Sequence, residues 1–314
     1  MKLATLFIIA SNILCLHAYA DVAPQAPDTE SANEETVLVL PPLFDYATAP
    51  EEIESWADRS NWLVEHFWDN FDFKQKVVGQ TQLNHAFKTY IVPMRFADAE
   101  VTMKSIKKLI GQLNKNSTLL IQFTKAAERN IYNPATSDML IDEVYLEFLK
   151  ALCNNKKVGD LHKARYLHQV KPLENTIIGR QMPKFGFEDR TGVNTEFSPE
   201  AITTIIEFGD PDCSECRITR LRLETDTYLQ SLAKDGKLRI LFISPEVAPE
   251  DMSSWRESVK DYPHYWTVGA SEDLAEELDL RTTPCIYLID AQRNIVSKNS
   301  TPEAIHRYME ELGN

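Results

Sequence analysis

Cysteine is scarce in this chain, with five residues among 314. A chain of this length with so few cysteines is not held together by the disulfide framework of a small secreted domain. Cys213 and Cys216 are three residues apart, and the other cysteines are scattered. This distribution indicates one close thiol pair and separate bystanders.

Basic residues are also in deficit. The 33 Lys and Arg residues stand against 47 Asp and Glu residues, and the formal net charge is −14. A protein with this balance is repelled by nucleic-acid phosphates and by anionic membrane surfaces. We therefore expect no nucleic acid and no anionic bilayer as a partner.

Metal-ligand patterns are missing as well. A structural zinc site needs about four ligands, and the chain has neither a second C-x-x-C nor an H-x-x-x-H motif. We expect no metal and no cofactor. Half of a metal site and a structural disulfide remain alternatives for the Cys213–Cys216 pair, and dithiol–disulfide chemistry is favoured over both.

Long apolar runs are absent, apart from one at the N-terminus that is too short and interrupted to span a bilayer. Residues 1–20 combine a positive start, this apolar run and an A-x-A cleavage pattern ending at Ala20, which is typical of a signal peptide. We expect a periplasmic or otherwise exported protein with no membrane span in the mature chain. Lipoprotein anchoring at Cys15 is the alternative, and Leu14 disfavours it because that signal prefers Gly or Ala there.

The remaining composition predicts two domains, since 43% hydrophobic residues in a chain of this length suffice for two cores. The composition of residues 21–50 predicts an acidic linker. Residues 51–170 have helical periodicity and no alternation of period two, which predicts an all-α domain of five or six helices and unknown role. Residues 171–181, with Pro172 and Gly179, predict a second linker.

Several side chains of the helical domain attract attention. The N-cap candidates for its helix over residues 140–152 are Thr136, Ser137 and Asp138. Cys153 lies at the rim of an apolar face, so core packing is its expected role. A group of aromatic residues favours core packing over a ligand site: Trp56, Trp62, Phe67, Trp68, Phe71 and Phe73.

From residue 182 the pattern alternates between strands and helices. Strands are predicted at 184–188, 194–197, 203–208, 238–244, 265–268, 285–290 and 294–298, and helices at 214–233, 251–260, 272–278 and 302–312. Strand–helix–strand units imply parallel pairing with right-handed crossovers, and the last two strands add an antiparallel edge. The prediction for 182–314 is an α/β domain, a mixed sheet with helices on both faces.

Cys213-Ser214-Glu215-Cys216 lies where an apolar strand runs into an amphipathic helix. A helix N-terminus favours a thiolate at Cys213, which makes it the attacking sulfur. Cys216, one turn further, would resolve a mixed disulfide. We therefore interpret Cys213–Cys216 as a redox-active disulfide pair.

Glu207 lies inside the preceding apolar strand, six residues before Cys213. Burying an ionised carboxylate there is unfavourable, and a group retained in such a place often transfers protons. The hypothesis is that Glu207 accepts and returns the proton of Cys216 through water. The alternative is that Glu207 points to a solvated edge.

Thr283-Pro284 opens the strand that begins at Cys285. A proline at this position is compatible with a cis peptide bond. We expect Pro284 to place the Thr283 backbone opposite Cys213, as an edge for a substrate chain. Cys285 itself is interpreted as a buried apolar thiol, and a third redox participant is the alternative.

These features together resemble the thioredoxin fold, and within it the exported TlpA/ResA-like thiol–disulfide oxidoreductases. The matching motifs are Ile205-Ile206-Glu207-Phe208, the C-x-x-C pair, Arg281-Thr282-Thr283-Pro284 and Tyr287-Leu288-Ile289-Asp290. The resemblance covers about residues 180–314. It implies a nucleophilic first cysteine, a resolving second one, a cis-proline, and a buried carboxylate at Glu207. The helical part looks like an uncharacterised domain that precedes thioredoxin-like domains in Gram-negative envelope proteins.

The chain departs from this family just before the pair, where Asp212 replaces the usual Trp. Asp210, Asp212 and Glu215 surround the thiols with negative charge, which opposes thiolate formation. We expect a modest nucleophile and a reducing rather than strongly oxidising couple.

The leading hypothesis is an exported thiol–disulfide oxidoreductase that reduces protein disulfides and needs an upstream thiol reductant. The alternative is a non-catalytic envelope protein, in which the thioredoxin-like domain is a platform and the helical domain binds a partner. The acidic surround and the missing Trp favour this alternative slightly.

Overall fold

A computed structural model describes residues 40–198, 200 and 202–313, and from Leu40 onward the chain forms one compact unit. The expected signal peptide, the anchor at Cys15 and the greater part of the 21–50 linker lie outside the described residues. Within the described part, none of the helices combines the length and apolar character needed to cross a membrane.

The N-terminal half of the described chain is all-helical, as predicted. Its helices are α1 (Trp56–His66), α2 (Gln80–Ile91), α3 (Ala99–Leu113), α4 (Ser117–Ala127), α5 (Asp142–Asn154) and α6 (Asp160–Asn175). A 3₁₀ turn (Pro93–Arg95) and a π-helical turn (Glu128–Tyr132) connect some of them. Their apolar faces meet in one core, because residues spaced three and four apart share a helix face.

The predicted aromatic core of this helical region is correct in part. Phe67, Trp68 and Phe71 are buried in the core, and Phe73 and Cys153 pack against it. Trp56 does not belong to it, because its side chain is 80% exposed at the first residue of α1.

The predicted N-cap of α5 is wrong. The N-cap residue is Ile141, which makes no side-chain capping bond. The hydroxyls of Thr136 and Ser137 instead donate to the carbonyl of Arg129, at 2.6 and 3.0 Å. They therefore close the preceding π-helical turn rather than begin α5.

The predicted linker at 171–181 begins too early, because α6 continues through Pro172 to Asn175. A proline inside a helix removes one backbone hydrogen bond. Here Pro172 and Leu173 are buried, and the hydroxyl of Thr176 donates to the carbonyl of Pro172 over 2.8 Å. Packing of the last turn therefore outweighs the lost bond.

The C-terminal half is built on one seven-stranded mixed sheet. Its strands are β1 (Phe185–Asp189), β2 (Asn194–Phe197), β3 (Thr203–Phe208), β4 (Leu238–Ser244), β5 (Thr267–Ala270), β6 (Cys285–Ile289) and β7 (Ile295–Lys298), in the order β2-β1-β5-β4-β3-β6-β7. Strands β3, β4 and β5 are parallel, and β6, β7, β1 and β2 pair antiparallel. The predicted mixed α/β fold is confirmed.

Central strand β3 is buried along its whole length, so its alternating side chains belong to two cores. Ile205 packs in a core with Leu223 of α7 (Ser214–Thr225) and Ile305 of α10 (Pro302–Gly313). Ile206 and Phe208 pack in the core on the other face. The period of two in a strand assigns Glu207 to the face of Ile205, which α7 covers.

One predicted helix, 214–233, is two helices in the structure. Helix α7 ends at Thr225, and α8 (Thr227–Lys234) begins beyond Asp226. The Asp226 carboxylate accepts from the backbone N–H groups of Tyr228 and Leu229, at 3.1 and 3.0 Å. An aspartate that caps a new helix N-terminus ends the previous helix.

The helix predicted over 272–278 is wrong, since this segment forms a turn among the described residues. Distant partners hold its backbone: the N–H of Leu274 donates to the Pro245 carbonyl over 3.1 Å, and Asn175 donates to the Glu277 carbonyl over 3.0 Å. The predicted strand at 265–268 lies two residues further on, as β5, because a turn from Pro263 to Trp266 comes first. The helix predicted over 251–260 is shorter, as α9 (Met252–Ser258).

Candidate active site

The site forms where two neighbouring strands meet the same edge of the sheet. Phe208, the last residue of β3, is paired with Cys285, the first residue of β6. The cysteine loop (residues 209–213) leaves β3 at this edge, and the proline segment (residues 281–284) enters β6 there. The Thr283–Pro284 peptide bond is cis. This register brings the two predicted elements of the site side by side.

Cys213 is the N-cap residue of α7, with an extended backbone at φ −73° and ψ 127°. Its sulfur accepts a hydrogen bond from the N–H of Cys216 at 3.3 Å. The loop before it is closed by Asp210, whose carboxylate accepts from the Asp212 N–H at 2.8 Å and whose carbonyl accepts from the Cys213 N–H at 3.1 Å. The sulfur thus lies at a helix N-terminus, where the first backbone N–H groups have no intrahelical carbonyl partner.

Cys216 lies beneath Cys213, only 1% exposed. The pKa of Cys216 is raised to about 12, mainly by burial and to a smaller extent by a hydrogen bond with Cys213. The backbone of Gly209 leaves room for this thiol, since a Cβ atom at Gly209 would lie 3.0 Å from the Cys216 sulfur. Cys216 is therefore a protonated thiol until its surroundings change.

Glu207 is fully buried, with 0% exposure, so the interpretation as a solvated edge residue is wrong. Neither carboxylate oxygen has a hydrogen-bond partner among the described residues. Burial raises the pKa of Glu207 to about 8, while the charge of Arg220 opposes this rise. The charge of Glu207 in turn raises the pKa of Cys216, so the two groups are electrostatically coupled.

Arg220 follows Cys216 by one helical turn, and its positive charge acts on Glu207. Its guanidinium lies 4.3 Å from the centre of the Tyr262 ring, and it donates to the Glu224 carboxylate at 2.7 Å. Its Nε atom is buried without a partner among the described groups. Sequence reasoning missed Arg220, although its i+4 spacing from Cys216 was the available signal.

The other described thiols are separate from this pair. Cys285 is buried at the start of β6, where burial raises its pKa to about 12, and its S–H donates to Asn299 over 3.2 Å. Burial likewise raises the pKa of Cys153, which packs against the helical core. All four described cysteines are free thiols.

A cleft of about 500 Å³ opens beside the cysteine loop and the proline segment. Thr282 and Thr283 line one side, and Gly209 lies on the other. The cleft is lined by four carboxylates, those of Asp210, Asp212, Glu246 and Asp251. None of its described lining residues is a Lys, Arg or His. The negative surround predicted from the sequence therefore extends along this cleft.

A larger cleft, of about 810 Å³, lies on the helical region. Trp68, Phe71 and Phe73 line it together with Lys74 and Lys108. None of the residues of the cysteine loop or the proline segment lines it. Among the described residues, no group of three or more His, Cys, Asp or Glu could hold a metal ion.

Solved structures show what this fold is similar to. A thioredoxin-like protein from Bacteroides caccae is 22% identical, with a TM-score of 0.72 over 85% of this chain and 98% of its own. A conserved protein of unknown function from Bacteroides fragilis is 28% identical over 43% of this chain and 99% of its own, with a TM-score of 0.40. The thioredoxin domain of a thiol–disulfide oxidoreductase from Bacteroides vulgatus is 20% identical over 44% of this chain and 99% of its own, with a TM-score of 0.36.

The sheet order and the likeness to the Bacteroides caccae structure show a thioredoxin-like fold, as the sequence predicted. Residues 20–175 match a sequence family described as a domain of unknown function, DUF5106. The matched residues precede the seven-stranded sheet in the chain. No curated protein matches the chain.

Proposed function

We propose that this protein is an exported thiol–disulfide oxidoreductase that reduces disulfides of protein substrates through Cys213 and Cys216. The observation that carries this proposal is the sulfur of Cys213 at the N-cap of α7, where it accepts the Cys216 N–H. A structural thiol needs no such exposed helix terminus, whereas a nucleophilic one is activated by it.

In the first step the Cys213 thiolate attacks one sulfur of the substrate disulfide. The substrate S–S bond breaks, a mixed disulfide with Cys213 forms, and the other substrate sulfur leaves as a thiolate that takes a proton from water. The exposed Thr283 backbone beside the cysteine loop offers the extended edge along which a substrate chain binds.

In the second step Cys216 resolves the mixed disulfide. Burial, the largest cause of the high pKa of Cys216, remains, but the hydrogen bond and the charge of Cys213 no longer raise this pKa once Cys213 is bonded to substrate. The ionised form of Glu207 then takes the Cys216 proton through water, and the share of this form grows as the pH approaches the Glu207 pKa of about 8. Cys216 attacks the Cys213 sulfur, the second substrate thiolate leaves, and two electrons have passed to the substrate.

The product is a Cys213–Cys216 disulfide, which must be reduced again. An upstream thiol reductant supplies two electrons by the same exchange in reverse. We propose a periplasmic location for this cycle on the basis of the N-terminal sequence.

The test is reduction of a disulfide-linked peptide by the purified, pre-reduced mature protein. We expect the wild type to open one peptide disulfide per molecule and the Cys213→Ser variant to open none. Cys153→Ser is the matched control, because it removes a thiol outside the site and should react like wild type. A Cys216→Ala variant should accumulate the mixed disulfide with the peptide.

Equal rates for wild type and Cys213→Ser would overturn the proposal. The second candidate function, a partner-binding platform, is favoured by the 810 Å³ cleft on the helical region. It gains support if wild type opens no disulfide at any pH at which it is folded.

A further inference from the structure

Four charged side chains form a buried ionic network between the helical half and the sheet. They are Asp142, Asp279, Arg281 and Lys298, and their side chains are only 3–9% exposed. Asp142 belongs to the first turn of α5, whereas the other three belong to the C-terminal half. Two cations and two anions balance, as buried charges require.

Asp142 bridges both cations. One of its carboxylate oxygens accepts from Arg281 at 2.7 Å, and the other lies 2.6 Å from the ammonium group of Lys298. Asp279 closes the ring from the opposite side, 2.6 Å from Lys298 and 3.0 Å from Arg281 Nε. Although burial would raise it, Lys298 and Arg281 hold the pKa of Asp279 below its usual value.

Arg281 is held from every side. Its Nη1 donates to the carbonyl of Tyr132 at 3.1 Å, and its guanidinium stacks 3.9 Å from the centre of the Tyr132 ring. That ring stacks in turn on Tyr145 of α5, with centroids 4.3 Å apart. The helical region therefore supplies a carboxylate, a carbonyl and an aromatic face to one arginine, which exploits its planar fork of donors.

Arg281 is the first residue of the proline segment. Two further residues, Thr282 and Cys285 just beyond the segment, both donate to Asn299 Oδ1, at 2.7 and 3.2 Å. Thr283 lies between these anchors and borders the cleft beside the cysteine loop. Arg281 is thus joined through a single residue, Thr282, to Thr283 at the edge of this cleft.

We propose that Asp142 is a positioning residue of the redox site, which fixes Arg281 and thereby holds Thr283 in place for the substrate chain. This inference rests on the proposed disulfide reduction. It gives the helical domain a part in substrate binding by the other half of the chain.

The test compares KM and kcat for reduction of the disulfide-linked peptide by Asp142→Asn and wild type. We expect an about fivefold rise of KM, the size of one weakened backbone hydrogen bond to the substrate, with kcat unchanged. The matched control is Glu277→Gln, which removes a carboxylate from the exposed Lys171–Glu277 ion pair between the same two halves. This control should leave both constants unchanged.

If Asp142→Asn does not fold, the double variant Asp142→Asn/Lys298→Gln, which removes one anion and one cation, is measured in its place. It should also raise KM. A merely structural network lowers the fraction of folded enzyme, and hence kcat, and leaves KM at the wild-type value. A lower kcat with an unchanged KM, in either variant that folds, would overturn the positioning role of Asp142 and leave the proposed function standing. A wild type that opens no disulfide overturns the proposed function, and this inference with it.

Discussion

The backbone N–H of Cys216 donates a hydrogen bond to the sulfur of Cys213 over 3.3 Å, so a thiol rather than a hydroxyl caps helix α7. Serine and aspartate are the usual N-caps, because their oxygens accept more strongly than sulfur. The chain keeps a weaker cap at this position. The proposed chemistry explains this, since a sulfur nucleophile must occupy the helix N-terminus.

Replacing Cys213 should therefore separate its capping role from its chemistry. We expect Cys213→Ala to lower the free energy of unfolding of the reduced protein by about 1 kcal/mol relative to Cys213→Ser, whose hydroxyl still caps. Urea unfolding measures this difference. Cys153 lies inside a helix rather than at a cap, so the free energy of unfolding of Cys153→Ala should be no lower than that of Cys153→Ser. Equal stability of the two Cys213 variants would contradict the capping role.

Gly209 is required by the close approach of Cys216. A Cβ atom on Gly209 would lie 3.0 Å from the Cys216 sulfur and 3.3 Å from the Cys216 Cβ atom, so Cys216 must shift by a few tenths of an ångström. We expect Gly209→Ala to lower the free energy of unfolding by about 1–3 kcal/mol, as overpacking does. The control is Gly186→Ala in β1, where a Cβ atom meets nothing within 4 Å. Equal effects at both glycines would rule out this account.

Glu207 should make the folded state less stable as pH rises. Its pKa is about 8 in the folded protein and near 4.5 in the unfolded chain, so between these values the folded state holds a proton that the unfolded chain has lost. Its contribution to stability is fully present below pH 4.5 and is lost as pH rises toward 8. The loss is at most about 1.4 kcal/mol per pH unit.

Glu207→Gln removes this titration, so the variant should gain stability relative to wild type between pH 5 and pH 8. Urea unfolding of the reduced proteins at several pH values measures the gain. Glu196→Gln, at an exposed glutamate of β2, should follow the wild-type profile. Parallel profiles for wild type and Glu207→Gln would mean that Glu207 does not titrate in this range.

The acidic surround should make the Cys213–Cys216 couple reducing. The carboxylates of Asp210 and Asp212 line the cleft beside the cysteine loop. In general, nearby negative charge disfavours the thiolate that stabilises the reduced form of strongly oxidising dithiols. We expect a reduction potential nearer about −270 mV than about −120 mV, and a less negative value in Asp212→Asn. Equilibration with glutathione measures both. A wild-type potential near −120 mV would refute the electrostatic argument.

Local patterns were enough to predict much of the fold. The apolar runs of β3 and β4 have the predicted bounds, 203–208 and 238–244, because a buried parallel strand needs a continuous apolar segment. The cysteine pair lies at the predicted strand–helix junction. By contrast, the helix predicted over 272–278 is reduced to a turn, in which the Leu274 carbonyl accepts from Glu277 and Leu278. Its flanking backbone groups bond to Pro245 and Asn175, which are distant in the chain.

The sequence by itself determined the all-helical and α/β halves, the Cys213–Cys216 pair at a helix N-terminus, and a carboxylate in the middle of an apolar strand. These follow from periodicity and spacing within a few residues. Only the tertiary structure decided that Glu207 is fully buried, that Gly209 leaves space for Cys216, and that Asp142 meets Arg281. Asp142 and Arg281 are 139 residues apart, and such contacts depend on how whole elements pack, which no local pattern records.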